Sequence, residues 1–125
     1  MQIYGYPGDR VDFVSKSASA GSILFGDPRS LCEEFFGAAH AVDTGAVGTQ
    51  ELSWFNGSIT LVLREDRVVA VRITPGASRE KIDIFLGKDK LSPLSEEDAA
   101  ELIGVQPVKI TRDGEGTLAT VTFAG

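Results

Sequence analysis

Cysteine and histidine are nearly absent from this chain: 125 residues include one of each, Cys32 and His40. A lone thiol excludes a disulfide framework, and one Cys with one His cannot build a Cys/His zinc site. Long hydrophobic runs are missing too. Stretches such as Val68-Val69-Ala70-Val71 fall far short of the ~20 apolar residues that span a bilayer. Basic residues are in short supply, with 12 Lys plus Arg against 18 Asp plus Glu and a net charge of −6. Binding to nucleic acid by counterion release needs clustered cations, so a nucleic-acid partner is not expected. The opening Met1-Gln2-Ile3-Tyr4-Gly5-Tyr6 has neither the basic nor the apolar region of a signal peptide, and no lipidation pattern is present. These absences imply a cytoplasmic protein that does not engage membranes. What is there is ordinary globular composition, 42% hydrophobic and 24% charged, in a length that suits one domain over residues 1–125.

Two segments carry helix punctuation. In Asp27-Pro28-Arg29-Ser30-Leu31-Cys32-Glu33-Glu34-Phe35-Phe36-Gly37, Asp27 stands as N-cap, Pro28 opens the first turn and Gly37 ends the helix. Leu31 and Phe35, four apart, with Phe36 beside them, mark its apolar face. In the second, Ser95 caps, Glu96, Glu97 and Asp98 occupy the first turn where the helix dipole favours acids, and Gly104 stops it. Both are too short to be stable alone and must lie on a sheet.

The sheet is written most clearly around Asn56-Gly57, a pair that tolerates the positive φ of a two-residue type I′ turn. That turn pairs Trp54 with Ile59 and Leu52 with Leu61, placing Leu52, Trp54, Ile59, Leu61 and Leu63 on one face. Ser53, Phe55, Ser58, Thr60 and Val62 fall on the other. A three-residue turn, residues 65–67, then pairs Leu63 with Val69, Leu61 with Val71 and Ile59 with Ile73. Ile82 to Leu86 alternates as a strand, and Val108-Lys109-Ile110 leads through Asp113-Gly114-Glu115-Gly116 to a last strand through Val121 and Phe123. An initial hairpin turns at Pro7-Gly8, and residues 15–21 and 44–49 read as polar loops. The expected fold class is α+β, an antiparallel β-sheet with two short helices packed on one face.

Motifs for chemistry are weak. Gly21 to Gly26 has P-loop spacing, but Asp27-Pro28 replaces the Lys-Ser/Thr that meets phosphate. Gly114-Glu115-Gly116 precedes a strand rather than a helix, so no pyrophosphate site is expected there. His40 reads as an ordinary surface or capping residue at a helix exit, and Cys32 as a partly buried structural thiol. No catalytic residue, metal or cofactor is therefore expected. Two features hold functional interest. One is the acidic set Glu96, Glu97, Asp98 and Glu101, a local negative field without a cation. The other is Phe55, which with Val62 forms an apolar spot ringed by Ser53, Thr60, Glu51 and Arg72, open if that sheet face is uncovered.

Ile23-Leu24-Phe25-Gly26-Asp27-Pro28-Arg29-Ser30-Leu31, followed by Phe35-Phe36-Gly37, Trp54-Phe55-Asn56-Gly57 and Arg67-Val68-Val69-Ala70-Val71, resembles a small α+β module. That module recurs in outer-membrane assembly lipoproteins, beta-lactamase inhibitor proteins and bacterial immunity proteins. The missing lipobox speaks against the lipoprotein branch, and an acidic cytoplasmic chain without catalytic equipment is similar to the immunity proteins. That resemblance implies a non-enzymatic protein that binds a cognate toxin domain and occludes its active site, as a monomer or small homo-oligomer. For a basic toxin, an anionic partner gains association rate by long-range attraction. An adaptor or subunit of a larger assembly, and a small-molecule-binding domain or carboxylate enzyme, are the alternatives.

Overall fold

The alternating segments of the chain each have one apolar face, and a protein with so many such strands must press those faces together. The computed structural model, which describes residues 1–15, 20–46, 48–91 and 94–125, does this with two sheets. The first sheet comprises β1 (Gln2–Tyr6), β2 (Arg10–Val14), β3 (Ala20–Leu24), β8 (Asp83–Leu86) and β9 (Asp89–Lys90), in the order β3-β2-β1-β8-β9. The second comprises β4 (Ala41–Thr44), β5 (Thr49–Trp54), β6 (Ile59–Arg64), β7 (Arg67–Ile73), β10 (Val108–Arg112) and β11 (Leu118–Ala124), in the order β10-β11-β7-β6-β5-β4. Helices α1 (Arg29–Phe36) and α2 (Glu96–Ile103) complete the α+β fold.

The inner faces meet in one core. Ile3, Val11, Phe13, Ile23 and Ile84 come from the first sheet, and Leu52, Trp54, Ile59, Leu61, Val71, Ile73, Val121 and Phe123 from the second. The approach is close enough that a Cβ on Gly5 would lie 2.1 Å from the Phe123 ring. Only glycine fits at that point on β1.

The arrangement differs from the single sheet expected, and the reason is not local. Each strand's period-2 pattern records that one face is buried but not against which partner. Nor do both helices cover one face. Phe36 of α1 packs between Phe13 of β2 (5.2 Å) and Trp54 of β5 (5.0 Å). Phe35 occupies the space above Gly21 of β3. α2 instead lies between β9 and β10, with Leu102 and Ile103 against the core. The helices thus close opposite flanks of the sandwich. A further difference is that β1 and β8 pair in parallel, Ile3 with Ile84 and Gly5 with Leu86.

Register was legible where turn chemistry and alternation agreed. Trp54 pairs with Ile59, Ser53 with Thr60 and Leu52 with Leu61. Across β6 and β7, Ile59 meets Ile73 and Leu61 meets Val71 as expected, but Leu63 meets Val68 rather than Val69. The turn there is the two-residue Glu65-Asp66, both at positive φ, and a bulge after Val62 absorbs the extra residue. The bulge keeps the apolar faces aligned, which a two-residue turn alone would not. β4 was not foreseen, since residues 44–49 read as loop and Ala41 to Thr44 has no buried face: all four residues are exposed. The loop expected over residues 15–21 lies largely outside the described residues, with Ala20 and Gly21 already in β3.

Asp27 is not the cap of α1. The N-cap is Pro28, which has no side-chain acceptor, and the Asp27 carboxylate turns back to accept from the Leu24 N–H at 2.9 Å. The Arg29 N–H donates to the Asp66 carbonyl of the β6–β7 turn at 2.9 Å. The apolar face of α1 matches expectation at Phe36 but not at Leu31 and Phe35. Cys32 is fully buried and Phe36 packs on the core, whereas Leu31 and Phe35 are 45% and 42% exposed.

Candidate functional site

The acids singled out on the second helix sit where the sequence puts them. Ser95 accepts from the Asp98 N–H at 3.1 Å and Gly104 closes the helix at φ 58°. Ala99 is the buried residue of α2, so Glu96, Glu97, Asp98 and Glu101 stand exposed on its outer surface. None of the four forms an ion pair among the described residues. Some acids elsewhere are held by cations, Glu33 by Arg29 at 2.8 Å, Asp83 by Lys90 at 3.2 Å, and Asp9 and Asp12 by Arg10 at 2.6 and 3.0 Å, whereas others such as Glu34, Asp43, Glu65 and Glu115 form no ion pair among the described residues either. What distinguishes α2 is density, four acids without an ion pair within residues 96–101, although Lys90 and Arg112 line the grooves on either side of it. The field of such a cluster extends about a Debye length into solvent.

Glu51 and Arg72 do not ring Phe55. They reach across β6 to each other, Arg72 Nη2 lying 2.5 Å from Glu51 Oε1 on the outer face of the second sheet. Beside them the Ser53 and Thr60 hydroxyls share a hydrogen bond of 3.1 Å. These side chains compensate one another within the fold.

Phe55 has left the sheet altogether. β5 ends at Trp54, and Phe55, Asn56 and Gly57 follow at φ 54°, 62° and 82°. Two overlapping turns result, with Gly57 N–H donating to Trp54 O at 3.2 Å and Ser58 N–H to Phe55 O at 3.1 Å. The expected two-residue turn lacks the first of these, and it is Phe55's entry into the left-handed region that removes its ring from the face shared with Thr60. A bulky side chain at positive φ is strained, on the order of 1–3 kcal/mol. The surroundings hold it there. His40 Nδ1 accepts the Phe55 N–H at 3.2 Å, and the Ser58 hydroxyl donates to the Phe55 carbonyl at 2.8 Å. The ring itself is 44% exposed, edge-on to His40 and Phe36 at 5.9 and 6.1 Å.

The sequence-selected residues thus fall in three separate places: the α2 surface, the outer sheet face and the β5–β6 turn. His40 was passed over as a surface residue, and its role needed the loop geometry to appear. The spacing from His40 to Phe55 carries no motif. Cys32 is a buried thiol, pushed up to about 11 chiefly by burial and then by the nearby Asp27 charge, so it is not a nucleophile at neutral pH. Among the described residues, no group of three His, Cys, Asp or Glu side chains could hold a metal ion, and no helix is long and apolar enough to cross a membrane. No family model, no curated protein and no solved structure matches this chain.

Proposed function

We propose that this chain is a non-enzymatic inhibitor of the bacterial immunity type, acting in the cytoplasm on a basic toxin domain whose active site it occludes. The observation that carries this reading is the α2 surface, where Glu96, Glu97, Asp98 and Glu101 are exposed and unpaired in a protein of net charge −6. Uncompensated acids on one helix give a directional field, which steers a cationic partner and accelerates encounter. Glu96, Glu97 and Asp98 also complement the helix dipole in the first turn, whereas Glu101 lies beyond it and does not.

The test is co-expression with the toxin-like product of a neighbouring gene, followed by association kinetics across a salt series. Protection of growth is expected, with an association rate that falls steeply as salt rises. Glu97→Lys together with Glu101→Lys should lower that rate by roughly tenfold at low salt, within the range of steered association. A rate indifferent to both salt and charge reversal overturns the electrostatic reading. An adaptor role draws on a different feature, the fully exposed edge strand β4, which offers unpaired backbone groups to an added strand.

A further inference from the structure

The strained Phe55 turn forms one wall of a cleft of about 560 Å³, within the range of small-molecule sites. Ile59 and Ile82 supply apolar lining, and His40, Asn56 and Arg79 supply polar groups. We infer that this cleft binds a small aromatic carboxylate, its flat body against Phe55 and its anionic group on Arg79. The site is distinct from α2 and independent of the inhibitor reading.

Three observations converge on that ligand. First, the aromatic wall is built at a cost: an ordinary two-residue turn at Asn56-Gly57 would have left Phe55 in the sheet, yet three successive residues adopt positive φ. The His40 and Ser58 hydrogen bonds fix both peptide groups of Phe55, so the ring is pre-organised rather than loose. Outliers of this kind concentrate at ligand clamps. Second, the polar groups are donors without partners. The Arg79 guanidinium and the Asn56 amide make no hydrogen bond or ion pair among the described residues. His40, accepting through Nδ1, carries its proton on Nε2 and offers a further donor. Glu80, the acid lining the cleft, faces the Met1 ammonium at 3.9 Å and donates its backbone N–H to Ser78 Oγ. Third, guanidinium binds carboxylate through paired, charge-assisted hydrogen bonds, which selects an anion with planar oxygens.

The probe is 1-naphthoate, with 1-naphthalenemethanol as its neutral counterpart, followed by amide chemical shifts. Saturable shifts confined to His40, Phe55, Asn56, Gly57, Ser58 and Arg79 are expected with naphthoate, and binding of the alcohol at least tenfold weaker. Arg79→Gln should weaken naphthoate by roughly tenfold or more, as loss of a charge-assisted pair does. Phe55→Gly should weaken it roughly threefold to tenfold. Because glycine accepts positive φ freely, relief of backbone strain offsets the lost ring contacts with Phe36 and His40, so Phe55→Gly should unfold at a denaturant midpoint close to the parent's, which separates lost binding from lost structure. Glu97→Lys should leave naphthoate binding unchanged, so failure here and failure of the inhibitor reading are separable. Absent or unsaturable shifts, equal affinity for the alcohol, or an Arg79→Gln variant that binds as well as the parent would each overturn the assignment.

Discussion

The two helices are the same length and both end at a glycine of positive φ, but they are specified in different ways. α2 is closed by its own residues: Ser95 accepts from Asp98, and three acids fill the first turn. α1 has no side-chain cap and no acid in its first turn. Its first N–H is taken by Asp66, in a turn 37 residues along the chain from Arg29 (66 − 29). Its C-terminal carbonyl at Gly37 is taken by the Trp54 indole at 3.1 Å. α2 is written locally, and α1 is made by the sheet it lies on.

The largest test of that contrast is Trp54→Ala. The indole is fully buried, packs 5.0 Å from Phe36 and donates to Gly37, so its loss unseats α1 as well as opening the core. A cost of ~3–5 kcal/mol is expected from denaturant titration. Leu102→Ala, which removes a half-buried contact of α2, should cost clearly less. Equal losses would dissolve the distinction between the helices.

Next comes Cys32, the buried residue of α1, whose thiol is pushed up to about 11 mainly by burial. A raised value means that the folded chain retains a proton the unfolded chain releases near pH ~8.5. The associated stability is complete below that pH and is lost as pH climbs toward 11. Unfolding midpoints measured at pH 8 and pH 10.5 should therefore converge for parent and Cys32→Ala as pH rises. Ala99 is the corresponding buried residue of α2 and has nothing to titrate. Native Cys32 should also resist thiol reagents until the chain unfolds.

A smaller effect separates the two caps directly. Ser95→Ala should cost ~1 kcal/mol, with Ser95→Thr recovering most of it. Asp27→Ala should leave α1 intact and loosen the turn at Leu24, while Asp27→Asn keeps an acceptor there and costs less. Amide exchange localises each loss. Protection falling through α1 in Asp27→Ala would restore a capping role.

This contrast explains what could be read in advance. Ser95, Gly104 and the Leu52, Trp54, Ile59, Leu61 alternation are short-range signals, and the elements they define are where they were expected. Phe36 was expected on the apolar face and packs on the core, but Leu31 and Phe35 misled because a helix with two apolar stripes does not say which one is buried; the sheet chose the side of Cys32. The bulge after Val62 was invisible because a two-residue turn followed by a bulge brings together the same faces as a three-residue turn. In the candidate sites, the acids of α2 were legible as a dense cluster. The register already put Glu51 and Arg72 on one face of neighbouring strands, but their direct ion pair was not read, and the His40–Phe55 bond was not legible because it joins a helix exit to a turn whose conformation appears only after folding.

The smallest effects distinguish the helices by sign. Glu33→Gln in α1 removes an i,i+4 ion pair with Arg29 at 2.8 Å and should destabilise by about 0.3–0.5 kcal/mol. Glu101→Gln in α2 is chemically the same change. Glu101, however, lies beyond the first turn, four residues from Glu97, with no basic residue in the last turn to meet it. It suffers like-charge repulsion and the negative end of the helix dipole, so its neutralisation should stabilise by a few tenths of a kcal/mol. Raising salt should shrink both differences, because exposed charges are screened. Matched thermal scans at low and high salt check the pair. A stabilising Glu101→Gln would mean that this acid is held against the interest of the fold, as a charge used in binding would be. A destabilising one would place Glu101 among the residues that simply support the helix, and with it would fall part of the case for α2 as the steering surface.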